Sequence, residues 1–241
     1  TPQATAFAFK CGPPEGHHTT ALLKQFPDWH LSSGHAHPDA ASFIIYANGK
    51  VLTGDAGYAG VPMTAHHNSV LIDGQGQADE GKGHDAFEGY SYERLDQVRM
   101  LEAKLEANAA QIRCDATAAY AGRLGLTSFV RTFTLAQGRF EITDDIAANA
   151  PRTFTALLHA DEKVEALSGR HFRLRNGDAG LRVEVVAPTD AVTRSEPNDL
   201  TAPGPPGAVD KGERQQRGER LAIANAKPAT AAQFKVRLSL K

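Results

Sequence analysis

The chain has 241 residues, of which 41% are hydrophobic and 7% aromatic, and its formal net charge is −2. This length permits one large β domain or two small domains, with a sizeable core. The balanced charge gives no basic field that would attract nucleic acid, and no apolar run approaches the roughly 18 residues of a membrane-spanning helix.

The first strong element is a β-hairpin. TAFAFKC, at 5–11, alternates weakly in polarity, and SFIIYANGKVLTGDA, at 42–56, contains Asn-Gly, the strongest short hairpin signal. A two-residue turn sets a register that ends with Ser42 opposite Asp55, and both faces of the hairpin are then largely apolar. We therefore expect a central, buried hairpin, and an aspartate at its open end needs a partner.

Short strands dominate the rest of the chain. HNSVLIDG, at 67–74, is closed by Asp-Gly, and QVRMLEAKLEA, at 97–107, has a helical composition but lies between strands, so we predict a long exposed strand. The later segments are 6–10 residues long, often alternate in polarity and end at turn residues: AQIRCDATA, LTSFVRTFTL, RFEITDDIAA, RTFTALLHA, HFRLRN, LRVEVVA, RLAIANA and AQFKVRLSLK. Asp144 and Asp145 indicate a turn.

About a dozen short strands with few helices predict an all-β fold, a large antiparallel β-sandwich of two stacked sheets. We expect a single domain over 1–241. Residues 195–218 are rich in Pro, Gly and charge, and we expect a long mobile loop there. The two cysteines, Cys11 and Cys114, could pair or stay free.

Ligand-capable side chains gather around the hairpin. His35 and His37 precede it, Asp55 ends it and His67 opens the next strand. Two imidazoles and a carboxylate are a ligand set that Zn²⁺ uses, and imidazole ligands favour zinc over calcium. From the spacing alone, surface-loop histidines and a capping aspartate are the favoured interpretation. Arg131 could bind a uronate carboxylate, but strand arginines are more often solvated or ion-paired, and we favour that interpretation.

Three blocks in order carry a resemblance that is more specific than this spacing. SGHAHPDAASFIIYANGKVLTGDAGY followed by HHNSVLIDGQGQ resembles the pattern G-H-x-H-x-D-x-x-S/N-F, an apolar hairpin with D-x-G-Y, and H-N-T/S-[apolar]-G-x-G-Q. This pattern is found in the heparinase II/III-like polysaccharide lyases, which include several alginate lyases. The close match runs from Gly34 to Gln77.

The resemblance implies a C-terminal β-sandwich that follows an N-terminal α/α toroid, and the toroid is absent from this chain. It implies cleavage of uronate-containing polysaccharides by β-elimination, with proton transfer shared by a histidine and a tyrosine. Carried over by position, His35 is the catalytic candidate, and His37, Asp55 and His67 are the ligands of a structural zinc. The catalytic tyrosine is expected outside this chain.

We therefore predict the C-terminal domain of a bacterial polysaccharide lyase, whose activity needs the absent α/α domain. The expected partners are an acidic polysaccharide or oligosaccharide and that toroid, with no nucleic acid and no membrane span, and the resemblance implies a periplasmic or secreted location. The chain begins at Thr1 without a signal-like segment, as expected for a mature or trimmed chain. Two alternatives stay open: a non-catalytic carbohydrate-binding or structural sandwich with a metal staple, and a zinc hydrolase.

Overall fold

A computed structural model describes residues 4–29, 36–55, 62–79, 86–199 and 216–240. These residues form fifteen strands: β1 Ala6–Phe9, β2 Phe43–Ala47, β3 Lys50–Thr53, β4 Val70–Ile72, β5 Arg99–Glu106, β6 Ala109–Asp115, β7 Leu126–Ala136, β8 Arg139–Arg152, β9 Phe154–Ala160, β10 Lys163–Ala166, β11 His171–Asn176, β12 Ala179–Ala187, β13 Val192–Asp199, β14 Gln216–Ala224 and β15 Ala229–Leu240. The α-helices described are short, α1 Gly16–Thr20 and α2 Tyr92–Leu95, and 3₁₀ turns cover Ala21–Lys24, Thr64–His66, Thr117–Ala119 and Gly122–Leu124.

The strands form three antiparallel sheets. The eight-stranded sheet has the order β10-β11-β12-β15-β8-β7-β6-β5, and the smaller sheets have the orders β1-β2-β3 and β13-β14-β9-β4. All three bury side chains in one shared core. The predicted all-β antiparallel sandwich is confirmed, with the layer opposite the eight-stranded sheet divided between the two smaller sheets. No helix among the described residues is long and apolar enough to cross a membrane.

Buried and more exposed residues alternate along the strands of the large sheet, and the buried ones form its inner face. Val183 and Val185 on β12 and Val236 and Leu238 on β15 are buried, while the residues between them are more exposed. Successive strand residues point to opposite faces, so this period of two gives one apolar face and one polar face. β5 is an exposed edge strand, which confirms the prediction for 97–107.

The predicted hairpin is present. The register that the sequence predicted is correct for the first two residue pairs after the turn and wrong beyond them. Ala47 pairs with Lys50 as expected, whereas a register shift then places Ile45 opposite Thr53. The expected pairing of Ser42 with Asp55 therefore does not form. An extra residue in one strand is a β-bulge, and it allows Leu52 and Thr53, both 0% exposed, to be buried together. β2 lies between β1 and β3, as expected for a central strand.

The prediction of a loop over 195–218 is wrong at both ends. Residues 195–199 belong to β13 and residues 216–218 to β14, and these two strands pair. β13 is an edge strand, where Pro197 can lie without removing a hydrogen bond from a sheet interior. The part between the strands lies outside the described residues, so its expected mobility stays a prediction.

Cys11 and Cys114 form a disulfide, with their Cα atoms 5.8 Å apart. Cys11 follows β1 of the three-stranded sheet, and Cys114 lies on β6 of the eight-stranded sheet. The bond therefore joins the two layers across 103 residues of sequence. This resolves the alternative that the sequence left open.

Replacing both cysteines by alanine should lower the free energy of unfolding by about 2–5 kcal/mol, because the unfolded chain is then no longer constrained by the long loop. Urea unfolding at pH 7 measures the change. Reduced wild-type protein is the matched control and should show the same loss. A reduced wild type as stable as the oxidised protein would contradict this role.

Candidate functional site

Three separate segments meet at the open end of the hairpin. His37 lies in the segment before β2, Asp55 follows β3, and His67 follows the 3₁₀ turn Thr64–His66. The His37 and His67 ring centroids are 5.2 Å apart, and Nδ1 of His67 is 3.7 Å from Oδ2 of Asp55. The three predicted zinc ligands therefore lie together, although they come from segments that are distant in sequence.

His67 is the most unusual member of this group. Its side chain is 1% exposed, and neither ring nitrogen has a hydrogen-bond partner within the part of the chain that the structure describes. Buried polar atoms are rarely left without a partner, because the lost hydration is costly. A bound cation would satisfy one of these nitrogens, so the chemistry of the donor set fits a metal.

The positions of the side chains do not by themselves form a complete metal site. Within the described ranges, no group of three His, Cys, Asp or Glu side chains is close enough to hold an ion. Burial and the neighbouring His67 lower the pKa of His37 below its ordinary value, which favours the neutral imidazole that binds metals. The zinc ligands therefore remain a prediction. His35 lies outside the described residues, so its predicted role also stays a prediction.

Arg131 on β7 supports this group from the core. Its Nε donates to Oδ1 of Asp144 at 2.5 Å, and its Nη2 donates to Oδ2 at 2.7 Å. Its Nη1 donates to the carbonyl oxygens of Ala41, at 2.7 Å, and of Asn68, at 2.5 Å. One guanidinium thus holds the segment that follows His37 and the segment that follows His67.

The ion pair between Arg131 and Asp144 tests what the sequence predicted for each of these two residues. The arginine is 2% exposed and its carboxylate partner 3% exposed, so Arg131 is a buried ion-paired residue, as we favoured. The predicted turn at Asp144 and Asp145 is wrong. Both residues lie inside β8, where Asp144 is directly opposite Arg131 in the adjacent strand.

Asn68 connects the hairpin to β9. Its Nδ2 donates to the carbonyl oxygen of Phe43 at 2.8 Å, and its Oδ1 accepts from the backbone N–H of His159 at 2.7 Å and from Oγ1 of Thr53 at 3.3 Å. The side chain is 0% exposed. It replaces regular sheet hydrogen bonds where the strands separate, and it fixes the backbone next to His67.

Gln77 performs the same task for the segment that carries His37. Its Oε1 accepts from the backbone N–H of Ala40 at 2.9 Å, and its Nε2 donates to the carbonyl oxygen of Ala40 at 2.8 Å. Its backbone N–H donates to Oγ1 of Thr64, which in turn donates to the carbonyl oxygen of Pro38. Gln77 is fully buried. The final glutamine of the GQGQ block is therefore a structural support.

His159 is buried behind this group on β9. Burial lowers its pKa to about 3, against a smaller opposing effect of its hydrogen bond to the carbonyl oxygen of Ala65. The ring is therefore neutral, and its Nε2 donates to this oxygen at 3.0 Å. His159 fills an interior position of β9, in the segment RTFTALLHA that the sequence predicted as a strand.

The antiparallel β-sandwich belongs to a C-terminal domain that is found in one family of proteins. The chain belongs to the heparinase II/III-like family, whose C-terminal domain matches residues 2–239. The residues that carried the sequence resemblance, from Gly34 to Gln77, lie within that match.

Solved structures with the same fold include a heparinase III with methylated lysines, at 17% identity and a TM-score of 0.68, covering 100% of this chain and 33% of that one. The heparan sulfate lyase of Pedobacter heparinus has 15% identity and a TM-score of 0.68, covering 99% of this chain and 33% of that one. The chain thus spans about a third of the length of these proteins. No curated protein matches it.

Replacing Arg131 by methionine should cost about 3–5 kcal/mol of stability, because it leaves Asp144 as an unpaired buried charge. Urea unfolding at neutral pH measures this loss. The double variant Arg131→Met/Asp144→Leu removes both charges and should recover a large part of it. A single variant as stable as the wild type would refute the role of this ion pair.

Proposed function

We propose that the chain is the C-terminal domain of a polysaccharide lyase that cleaves a uronate-containing acidic polysaccharide by β-elimination. The observation that carries this proposal is the convergence of His37, Asp55 and His67 at the open end of the hairpin, which we name the hairpin mouth, in a chain of the heparinase II/III-like family. His35, two residues before His37, is the proposed proton-transfer residue.

The reaction needs one base, one acid and a group that stabilises negative charge. A base removes the proton from the carbon next to the uronate carboxylate, and the electrons of that C–H bond form the new double bond as the glycosidic C–O bond breaks. The departing oxygen takes up a proton from an acid. Charge that develops on the carboxylate must be stabilised by positive or hydrogen-bonding groups. We propose that His35 shares the proton transfer with a tyrosine of an N-terminal α/α domain.

The metal in this proposal is zinc with a structural role. His37, Asp55 and His67 would hold it, and imidazole nitrogens favour zinc over calcium. A bound zinc ion would crosslink the three segments. The protein contribution is to fix the backbone that follows His37 through the hydrogen bonds of Gln77 to Ala40 and of Arg131 to Ala41, as residues that orient metal ligands do.

We propose a periplasmic or secreted location in a bacterium. The Cys11–Cys114 disulfide supports it, because disulfides persist in oxidising compartments and are rare in reducing ones. The proposed substrate, a polysaccharide, is also extracellular.

The second candidate is a non-catalytic carbohydrate-binding or structural sandwich with a metal staple. It is favoured by the low identity to the heparinase structures, 17% and 15%, at which the fold is shared and an activity is not established. The two candidates differ in what they require of His35. A catalytic domain needs its side chain for turnover, whereas a structural module does not.

Replacing His35 by alanine in the full-length parent protein should reduce turnover at least about 100-fold, the usual contribution of a general acid or base. The assay follows the absorbance of unsaturated uronates with heparan sulfate, alginate and hyaluronan as substrates. His18→Ala, an exposed change on α1, is the matched control and should leave the rate unchanged. If the parent cleaves a polymer and His35→Ala cleaves it equally fast, the structural module is the correct function.

Elemental analysis of the purified chain should find about one zinc ion per molecule. His37→Ala and His67→Ala should each lose it, because three protein ligands are the usual minimum for a zinc site. His18→Ala should retain the metal. A wild-type protein without zinc after dialysis against micromolar zinc, or a His67→Ala variant that keeps it, would refute the proposed ligands.

A further inference from the structure

The outer face of the eight-stranded sheet carries a concentrated positive charge at one corner. We name this corner the basic corner, and it consists of Lys163 on β10, Arg173 and Arg175 on β11, Arg182 on β12 and Arg139 on β8. Their neighbours along each strand, such as Val164, Phe172, Leu174 and Leu181, are buried. The five basic side chains therefore project from the opposite, outward face.

The strand register places these side chains in two adjacent rows. In the first, Lys163 is opposite Arg175. In the second, Arg173 is opposite Arg182, Arg182 is opposite Ser239 and Ser239 is opposite Arg139. Like charges placed directly opposite each other in a sheet are destabilising. The sheet contains two such pairs side by side.

Little negative charge compensates this corner. Glu165 is the acidic residue within the two rows, and it is shared by Arg173, at 3.5 Å, and Arg175, at 3.3 Å. In the part of the chain that the structure describes, no ion pair within 4.0 Å is formed by Lys163, Arg182 or Arg139. Five positive charges against one negative charge leave an excess of four, in a chain with a net charge of −2.

The next row on the same face shows that the excess is local. There, Glu141 contacts Lys235 at 2.8 Å and Arg237 at 3.0 Å, and Glu184 lies 3.8 Å from the same arginine. In that row Arg237 lies between Glu184 and Glu141, and Lys235 lies one row further along β15, so two acids balance two basic residues there. The unbalanced charge thus begins at the row of Arg182 and does not extend over the whole face.

The spacing of the guanidinium groups suits a linear polyanion. Strands in a sheet are about 4.8 Å apart, so the three spacings from Arg173 to Arg139 extend about 14 Å across the face. Guanidinium groups bind carboxylate and sulfate oxygens through paired hydrogen bonds. A chain with repeated acidic groups can contact several of these arginines at once.

The basic corner is separate from the hairpin mouth. Nδ2 of Asn176, at the end of β11, donates to the carbonyl oxygen of Val51, and Lys50 pairs with Asp178 in the turn that follows. These contacts place the corner beside the Asn48-Gly49 turn, at the end of the hairpin opposite Asp55.

We propose that the basic corner is a second binding site for acidic polysaccharide, which holds a polymer away from the site of cleavage. The choice of a polysaccharide rests on the proposed function. The requirement for a linear polyanion rests on the charge and spacing of the corner alone.

The test measures binding of heparan sulfate and of unsulfated polygalacturonate to the 241-residue chain by titration calorimetry at 50 mM salt. Arg139→Ala/Arg182→Ala should weaken binding at least about tenfold, since the variant loses two charge-assisted contacts to the polymer. Binding should also weaken as salt increases. Tighter binding of one polymer identifies whether sulfate or carboxylate is preferred.

The matched control is Lys104→Ala/Arg113→Ala. It removes the same charge from the same face, but from β5 and β6, which lie three and two strand spacings beyond Arg139 on β8 and carry these residues outside the two rows of the basic corner. It should bind like the wild type. Equal weakening by the control, or no binding of either polysaccharide, would overturn the proposal.

Double-stranded DNA is a further probe at the same salt concentration. Weaker binding of DNA than of both polysaccharides supports the proposal, whereas tighter binding of DNA would overturn it in favour of a nucleic-acid site. The measurement needs no turnover. A failure of the proposed lyase activity is therefore distinguishable from a failure of this site.

Discussion

The buried ion pair between Arg131 and Asp144 is the contact on which the hairpin mouth depends. The two residues face each other in neighbouring strands of the large sheet, which supplies a rigid base. Two further hydrogen bonds reach the carbonyl oxygens of Ala41 and Asn68 in the opposite layer. Because burying a charge is costly unless it is paired and hydrogen-bonded, this arrangement stabilises the arginine and at the same time holds both segments against the large sheet.

Side chains replace backbone hydrogen bonds throughout this region for a common physical reason. The segments around Ala40 and Asn68 turn away from regular strands, and their buried N–H and C=O groups still need partners. Gln77 provides a donor and an acceptor to one residue, as a neighbouring strand would, and Asn68 does so for the hairpin and β9. The irregular backbone of the hairpin mouth thereby has hydrogen-bond partners for its buried groups, as the backbone of a sheet does.

The sequence predicted what depends on local pattern and missed what depends on distant partners. Alternation identified the strands, and Asn48-Gly49 identified the turn, whereas the bulge at Leu52 adds a residue that alternation cannot reveal. Asp144 next to Asp145 has the composition of a turn, and only the register with Arg131 explains it inside a strand. His37, Asp55 and His67 lie near one another, and their role as metal ligands stays a prediction, whereas the roles of Asn68 and Gln77 require knowledge of which carbonyls are buried beside them.

The hydrogen bonds of Gln77 and Arg131 also limit how much a metal at the hairpin mouth would contribute to folding. Small metal-dependent domains are unfolded without their ion because the ion supplies much of the folding energy. In this chain, the backbone beside His37 and His67 is held by Gln77 and Arg131, and a shared core extends through all three sheets. Much of the folding energy thus comes from protein contacts. An ion at the mouth would act locally, by joining His37, Asp55 and His67 and by giving one of the two buried nitrogens of His67 a partner.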